Sequence, residues 1–254
     1  MSRLSPDTLF HFTPSLDNLL SILKNTFYPR YCYDEFDLID NDEQSFREDA
    51  TPMVCFCDIP LSQLMNHIET YGKYGLGMSK EWGEREGLNP VIYYNKNSYL
   101  SKQLSKLTNT HIWGNNLATN AFGEVMLYIK PYEGTLYQGG HAVKENTRFY
   151  DEHEWRYIPD KNIIKAKNIG LTFLQQHMYL NTEVLAKANS KLETDELKLS
   201  FHANDIKYII INNDSQINNM VKELRDIKGS RYDRETVDRL MSRIITVKQI
   251  QNDF

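Results

Sequence analysis

The chain begins with a short alternating apolar segment, Leu9-Phe10-His11-Phe12, whose period of two predicts a strand. Thr13 follows as a helix N-cap candidate, with Pro14 at the first helical position. Leu16, Leu19, Leu20, Leu23 and Phe27 then recur at helical spacing and predict one apolar helix face. The opening thus reads strand, tight turn, helix, with His11 near the strand end. Residues 34–50 are acidic and lack periodicity (Asp34, Glu35, Asp37, Asp40, Asp42, Glu43, Glu48, Asp49), which predicts a long loop, either a lid or a solvated surface. Met53-Val54-Cys55-Phe56-Cys57 predicts a buried strand closed by Asp58-Ile59-Pro60, and Leu61 to about Tyr71 a helix.

The next stretch, Tyr71 to Ser79, is dense in glycine and tyrosine. Its glycines permit close backbone approach to a ligand or to another strand, but their spacing is not that of a P-loop or a dinucleotide fingerprint. Further strands are predicted at Asn89–Tyr94, Glu124–Lys130 (ended by Pro131), residues 152–158, Ile206–Ile211 and Arg243–Val247. Helices are predicted over residues 97–121, over 172–196, from Ser215 to about Lys228, and again after 235. Residues 132–150 read as a loop. No internal repeat or linker interrupts the pattern, so one continuous α+β domain over residues 1–254 is expected.

Composition narrows the classes. With 41% hydrophobic and 25% charged residues the chain can build a core. A net charge of -5 argues against general coating of nucleic acid, though a local basic groove stays open. Cys32, Cys55 and Cys57 are too few for a disulfide framework and lack further ligands for a metal site, so they read as reduced thiols. The first residues have no signal-peptide core, and no run approaches the ~20 apolar residues that span a bilayer. A cytoplasmic protein is expected.

Candidate chemistry concentrates in Asp151-Glu152-His153-Glu154-Trp155-Arg156-Tyr157. On a strand, Glu152, Glu154 and Arg156 share one face and His153, Trp155 and Tyr157 the other. Two adjoining carboxylates raise one another's pKa and a neighbouring Arg lowers it, an acid/base constellation. The plain alternative is a solvated face opposite an aromatic core face. His11 is either a hydrogen-bonded core residue or an imidazole offered to a ribose hydroxyl, and Thr13 need be no more than a helix cap. There is no G-x-S-x-G elbow and no H-E-x-x-H helix, and the seven histidines are scattered, so no metal site is expected.

These segments together carry a resemblance. Leu9-Phe10-His11-Phe12-Thr13 with Asn18-Leu19-Leu20-Ser21-Ile22-Leu23 resembles the opening of ADP-ribosyltransferase-like proteins of the DarT type. Met53 to Pro60, Tyr71 to Gly83 and Glu154-Trp155-Arg156-Tyr157-Ile158-Pro159 are similar to the AbiGi family of bacterial abortive phage-resistance proteins, a likeness covering roughly residues 8–212. The transferase likeness implies a split β-sheet core with NAD, as substrate, in its cleft. It implies Glu154 as catalytic glutamate and Glu152 as its acceptor-orienting partner, with His11, Thr13, Tyr71, Tyr74 and Arg156 as the NAD-binding set. A carboxylate against the ribose would stabilise the positive charge that grows as the nicotinamide bond breaks. One departure is that Cys55-Phe56-Cys57 stands where one transferase class has Ser-Thr-Ser. The expected function is therefore an NAD-dependent ADP-ribosyltransferase toxin in phage defence, acting on RNA, DNA or protein, with a cognate antitoxin and no membrane. The alternative, also implied by the AbiGi likeness, is a non-catalytic antitoxin or sensor whose partner is the toxin. A metal-dependent nuclease is a third reading, for which the sequence has no ligand cluster of recognisable spacing.

Overall fold

The computed structural model describes residues 5–35, 49–109 and 117–253. The alternating start of the chain is β1 (Thr8–Thr13), followed by α1 (Leu16–Asn25). Ser15, not Thr13, caps that helix: its Oγ accepts from the Asn18 amide at 3.2 Å. Pro14 lies outside the helix, so the expected cap stands two residues too early. β2 (Arg30–Tyr33) and β3 (Asp49–Cys57) come next, then α2 (Met65–Tyr71), β4 (Tyr74–Ser79), α3 (Lys80–Arg85), β5 (Asn89–Pro90) and β6 (Ile92–Tyr94). Two helices, α4 (Tyr99–Asn109) and α5 (Leu117–Val125), lead to β7 (Ile129–Pro131). Only the end of the strand expected at 124–130 is a strand, because helix continues through Val125 and a 3-10 turn occupies Met126–Tyr128.

Where a loop was expected, residues 134–147 form a hairpin, β8 (Gly134–Gln138) and β9 (His141–Thr147). Gly139 and Gly140 both have positive φ (55° and 87°), the geometry that matches a two-residue turn to strand twist. The strand signal was hidden because nearly all of β9 is solvent-exposed, so polar residues serve at both faces. The chain continues through β10 (Glu154–Tyr157), α6 (Lys161–Lys167), β11 (Leu174–Gln175), α7 (Gln176–Tyr179), α8 (Thr182–Lys191), β12 (Ile206–Ile211), α9 (Ile217–Lys228), α10 (Arg234–Met241), β13 (Ile244–Thr246) and α11 (Val247–Asp253). The result is a mixed α+β fold in which helices surround a multi-strand sheet. Among the described residues no helix is long and apolar enough to cross a membrane. Of the acidic stretch, Asp34, Glu35 and Asp49 are described, whereas Asp37, Asp40, Asp42, Glu43 and Glu48 lie outside the described residues.

Two compact units are distinguished. The first comprises Met1–Phe27, Cys55–Leu88 and Leu199–Phe254; the second comprises Tyr28–Val54 and Asn89–Lys198. In the first, the strand order runs β13-β12-β4-β1, with Phe10 of β1 also paired to Cys57. β12 and β13 are parallel and the other pairs antiparallel. The glycines of the Gly/Tyr segment serve strand contact here. A Cβ on Gly75 would lie 2.7 Å from the His11 carbonyl oxygen, and one on Gly77 would lie 2.9 Å from the Phe10 ring. Phe10, Phe12, Leu64, Ile68 and Ile210 form one apolar layer. Trp82, fully buried, packs against Phe27 and Phe56 and donates its indole N–H to the Ser200 carbonyl at 2.9 Å.

Lys228 closes α9 at 4% exposure, with its ammonium 5.2 Å from the centre of the Phe201 ring. Burial, with Arg231 adding repulsion, pulls its pKa down to about 8. A lysine whose folded pKa lies below its unfolded value is penalised for charging. That penalty is complete below about pH 8 and vanishes above the unfolded 10.5. Lys228→Met is therefore expected to stabilise the protein by about 1 kcal/mol at pH 7 after solvent screening and the lost cation–π contact are allowed for. Urea titration at pH 7 and pH 10.5 checks this, and the gain should shrink at the higher pH.

In the second unit, β3 is flanked by β2 and β11, both antiparallel to it. β6 and β7 form a parallel pair, and β10 pairs antiparallel with β5. Tyr31, Tyr33, Ala50, Leu174 and Tyr179 supply one core cluster, in which the Tyr33 ring meets Tyr137 edge-on at 4.8 Å.

Candidate functional site

The carboxylates singled out in the sequence do come together, though not as a plain strand. Phe149–Glu152 forms a 3-10 turn that ends at His153, whose φ of 45° lies in the left-handed region. β10 begins only at Glu154. Glu152 thus approaches from the turn while Glu154 and Arg156 share the strand's inner face. That face is the buried one: Glu154 is 4% and Arg156 1% exposed, whereas Trp155 and Tyr157 are half-buried. The solvated charged face of the plain reading is therefore inverted.

Lys130, carried in by β7, organises the carboxylates. Its ammonium donates to Glu152 Oε2 at 2.8 Å and to Glu154 Oε2 at 2.6 Å, and lies 4.3 Å from the Phe149 ring centre. Arg156 donates from Nε to Glu154 Oε1 at 2.6 Å, from Nη1 to the Leu127 carbonyl at 2.8 Å and from Nη2 to Asp34 Oδ2 at 2.6 Å. The backbone of Glu154 is also held: its amide donates to the Tyr93 hydroxyl at 2.8 Å, and its carbonyl accepts from Val91 at 2.9 Å. Two cations and three carboxylates, drawn from β7, β10, the 3-10 turn and the end of β2, are locked into one buried cluster.

The electrostatics follow from this arrangement. Burial alone raises the Glu154 carboxyl, but Arg156 and Lys130 outweigh it and hold the group well below the usual carboxylate range. Burial next to the Glu154 charge pushes the Tyr93 hydroxyl up. A glutamate held below the usual carboxylate range, with both oxygens occupied, is poorly suited to shuttle protons near neutral pH, because that role needs a pKa close to the working pH.

The sequence did not single out Lys130, Asp34 or Tyr93. A signal for Lys130 was available: a lysine between Ile129 and Pro131 in an apolar run must bring a counter-charge indoors. Asp34 was submerged in its acidic neighbourhood, and Tyr93 was one of 16 tyrosines.

The other expected NAD contacts belong to the first unit. His11 Nδ1 lies 2.8 Å from the Cys55 carbonyl oxygen and, since a carbonyl only accepts, carries the proton. The ring packs edge-on against Phe27 at 5.2 Å and near Phe56, and burial lowers its pKa, keeping the imidazole neutral. Thr13 is buried opposite Tyr74 in the β1–β4 ladder. The Tyr74 hydroxyl accepts from Gln216 at 2.9 Å, and the Tyr71 ring lies tilted against His67 with centroids 4.3 Å apart. The structure thus gathers Glu152, Glu154 and Arg156 in one unit and places His11, Thr13, Tyr71 and Tyr74 in the other.

The family described as "abortive phage resistance protein AbiGi, antitoxin" matches residues 25–212. The chain belongs to the AbiGi family. An "Abortive phage resistance protein AbiGi" from Lactococcus lactis subsp. cremoris is 30% identical over 256 residues, covering 90% of this chain and 99% of that protein. No solved structure matches the chain. The AbiGi description as antitoxin overturns the expectation of an NAD-dependent ADP-ribosyltransferase toxin and, with it, the need for NAD. Among the described residues no group of three or more His, Cys, Asp or Glu side chains is arranged to hold a metal ion. The expected cognate protein partner is consistent with AbiGi being described as an antitoxin.

Proposed function

We propose that this AbiGi-family chain is the non-catalytic antitoxin of an abortive-infection pair and neutralises a cognate toxin by binding it. The observation that carries this reading is the family match over residues 25–212, under the antitoxin description, together with the near full-length relative. The charge cluster supports it from the physical side. Its carboxylates are engaged by Lys130 and Arg156, so we read Glu152, Glu154 and Arg156 as groups that fasten β10, β7 and the end of β2 to one another. A binding protein needs such rigidity, because a surface held in one shape forfeits less entropy on association.

Expression decides the matter. The chain alone should leave growth unchanged, and co-expression with the toxic protein encoded beside it should restore growth and yield a complex that co-elutes on size exclusion. Growth arrest by the chain on its own would overturn the reading.

A further inference from the structure

We propose that a cavity in the first unit is a binding site for a small phosphate monoester. The cavity measures about 400 Å³, within the roughly 300–1,000 Å³ of small-ligand sites. It is walled by the start of β1, by β12 and by the turn that enters β13. Such a site is independent of the antitoxin reading.

A backbone irregularity builds it. Ile206 pairs with Met78 and Tyr208 with Gly77, so Lys207 is an extra residue in β12. On a regular strand Lys207 and Tyr208 would face opposite ways, whereas the bulge lets both line the cavity. Thr8 reaches it from β1, on the far side of β4. Gly77 of β4 carries no side chain to hold Thr8 and Tyr208 apart: a Cβ there would lie 2.9 Å from Thr8 Cγ2 and 3.0 Å from Tyr208 Cδ2. The Tyr208 ring is fixed by stacking on Phe10 at 5.9 Å and, with Ile244, offers the body of a ligand an apolar rest.

The polar groups on the wall are donors in want of an acceptor. Thr8 is 7% exposed, and among the described residues its hydroxyl has no protein hydrogen-bond partner; it is not sealed in, so it opens on the cavity. The Tyr208 hydroxyl and the exposed Lys207 ammonium likewise have no protein partner among the described residues. Arg243 is preset by its Nη1, which donates to the Ile206 carbonyl and, at 3.4 Å, to that of Asn204. Its Nε and Nη2 have no partner among the described residues. Burial and nearby Arg239 act on its charge, and no carboxylate offsets them. Asp7, the one carboxylate on the wall, is engaged within the chain. Ser242 spends its hydroxyl proton on the Arg239 carbonyl at 2.7 Å. Two cations and two hydroxyls from three chain segments thus meet on one cavity, and a phosphate presents three acceptor oxygens in as many directions. A planar carboxylate would serve fewer of them.

The test uses the full chain and calorimetry with phenyl phosphate as the probe. Saturable binding is expected, tighter than that of inorganic phosphate, which has no body to rest on Tyr208, and tighter than that of benzoate. Lys207→Glu should weaken it by roughly tenfold or more, and Thr8→Val by about threefold. Melts of Lys207→Glu without the probe should match wild type, because that side chain is exposed. Lys248→Glu, the same charge change at an exposed position of α11 outside the cavity, should bind within about twofold of wild type. Absence of saturable binding by the wild type would overturn the site, as would equal losses in Lys207→Glu and Lys248→Glu. Benzoate binding as tightly as phenyl phosphate would overturn the choice of phosphate. Displacement of the probe by lower concentrations of an oligonucleotide without terminal phosphates would make the cavity a site for diester backbones and overturn the monoester. Each of these results leaves the antitoxin reading untouched.

Discussion

Glu154→Gln is expected to lower the unfolding free energy by about 3 kcal/mol, because it strands Lys130 and Arg156 as buried cations facing a neutral amide. The amide can accept from one of them but adds a donor where the native site offers two more cationic donors. Glu152→Gln should cost less, about 1–2 kcal/mol, since Lys130 keeps its bond to Glu154. Urea titrations rank the two, and equal losses would remove Glu154 from the centre of the cluster. The same residue predicts an acid limb. Its folded pKa lies below the unfolded 4.5, so its contribution is complete above about pH 4.5 and declines as pH falls from there towards the folded value. Glu154→Gln should therefore flatten the loss of stability on acidification while starting from a lower plateau at pH 7. Were Glu154 a proton-shuttling group, the stability curve would instead bend near neutrality.

Gly72→Ala should be comparably damaging for a wholly different reason. Gly72 caps α2 with φ at 124°, and a Cβ there would lie 2.3 Å from the Thr13 carbonyl oxygen and 2.6 Å from the Pro14 Cα. Both obstacles are backbone, so no rotamer change relieves them, and β1 would have to move. A loss of at least about 3 kcal/mol is expected from the strained φ and the overlap together. Gly87→Ala is the matched control. Its φ is 78° but nothing lies within 4 Å of the added Cβ, so about 1 kcal/mol is expected from the backbone alone. If both variants melt alike, close approach is not what Gly72 provides. This distinction bears on function, since the Gly/Tyr segment invites a phosphate-cradle reading and the structure makes it a strand whose glycines admit a neighbouring strand.

Elements with strong periodicity were legible. The β1–α1 opening, the buried strand through Met53–Cys57, β12 with its isoleucines and α9 all lie where apolar spacing predicts them. Elements held by partners rather than by pattern were not. β9 of the β8–β9 hairpin is almost wholly exposed and does not alternate, and the segment after Glu124 has apolar residues compatible with either a strand or a helix. The site shows the same division. Alternation placed Glu154 and Arg156 on one face, but only burial said that this face points inward.

By itself the sequence determined the α+β class, the main apolar elements and, through motifs spread from Met53 to Pro159, the AbiGi likeness that the family match bears out. Those are local or additive properties: period, capping and residue identity along the chain. What the tertiary structure decided is which charges meet. Lys130 lies 22 and 24 residues from Glu152 and Glu154, and Asp34 lies 122 residues from Arg156, and no local rule orders such pairings. Their convergence sets the two carboxylates of the apparent acid/base pair against Lys130 and Arg156. A carboxylate's chemistry depends on its surroundings in space, and the fold surrounds Glu154 with cations.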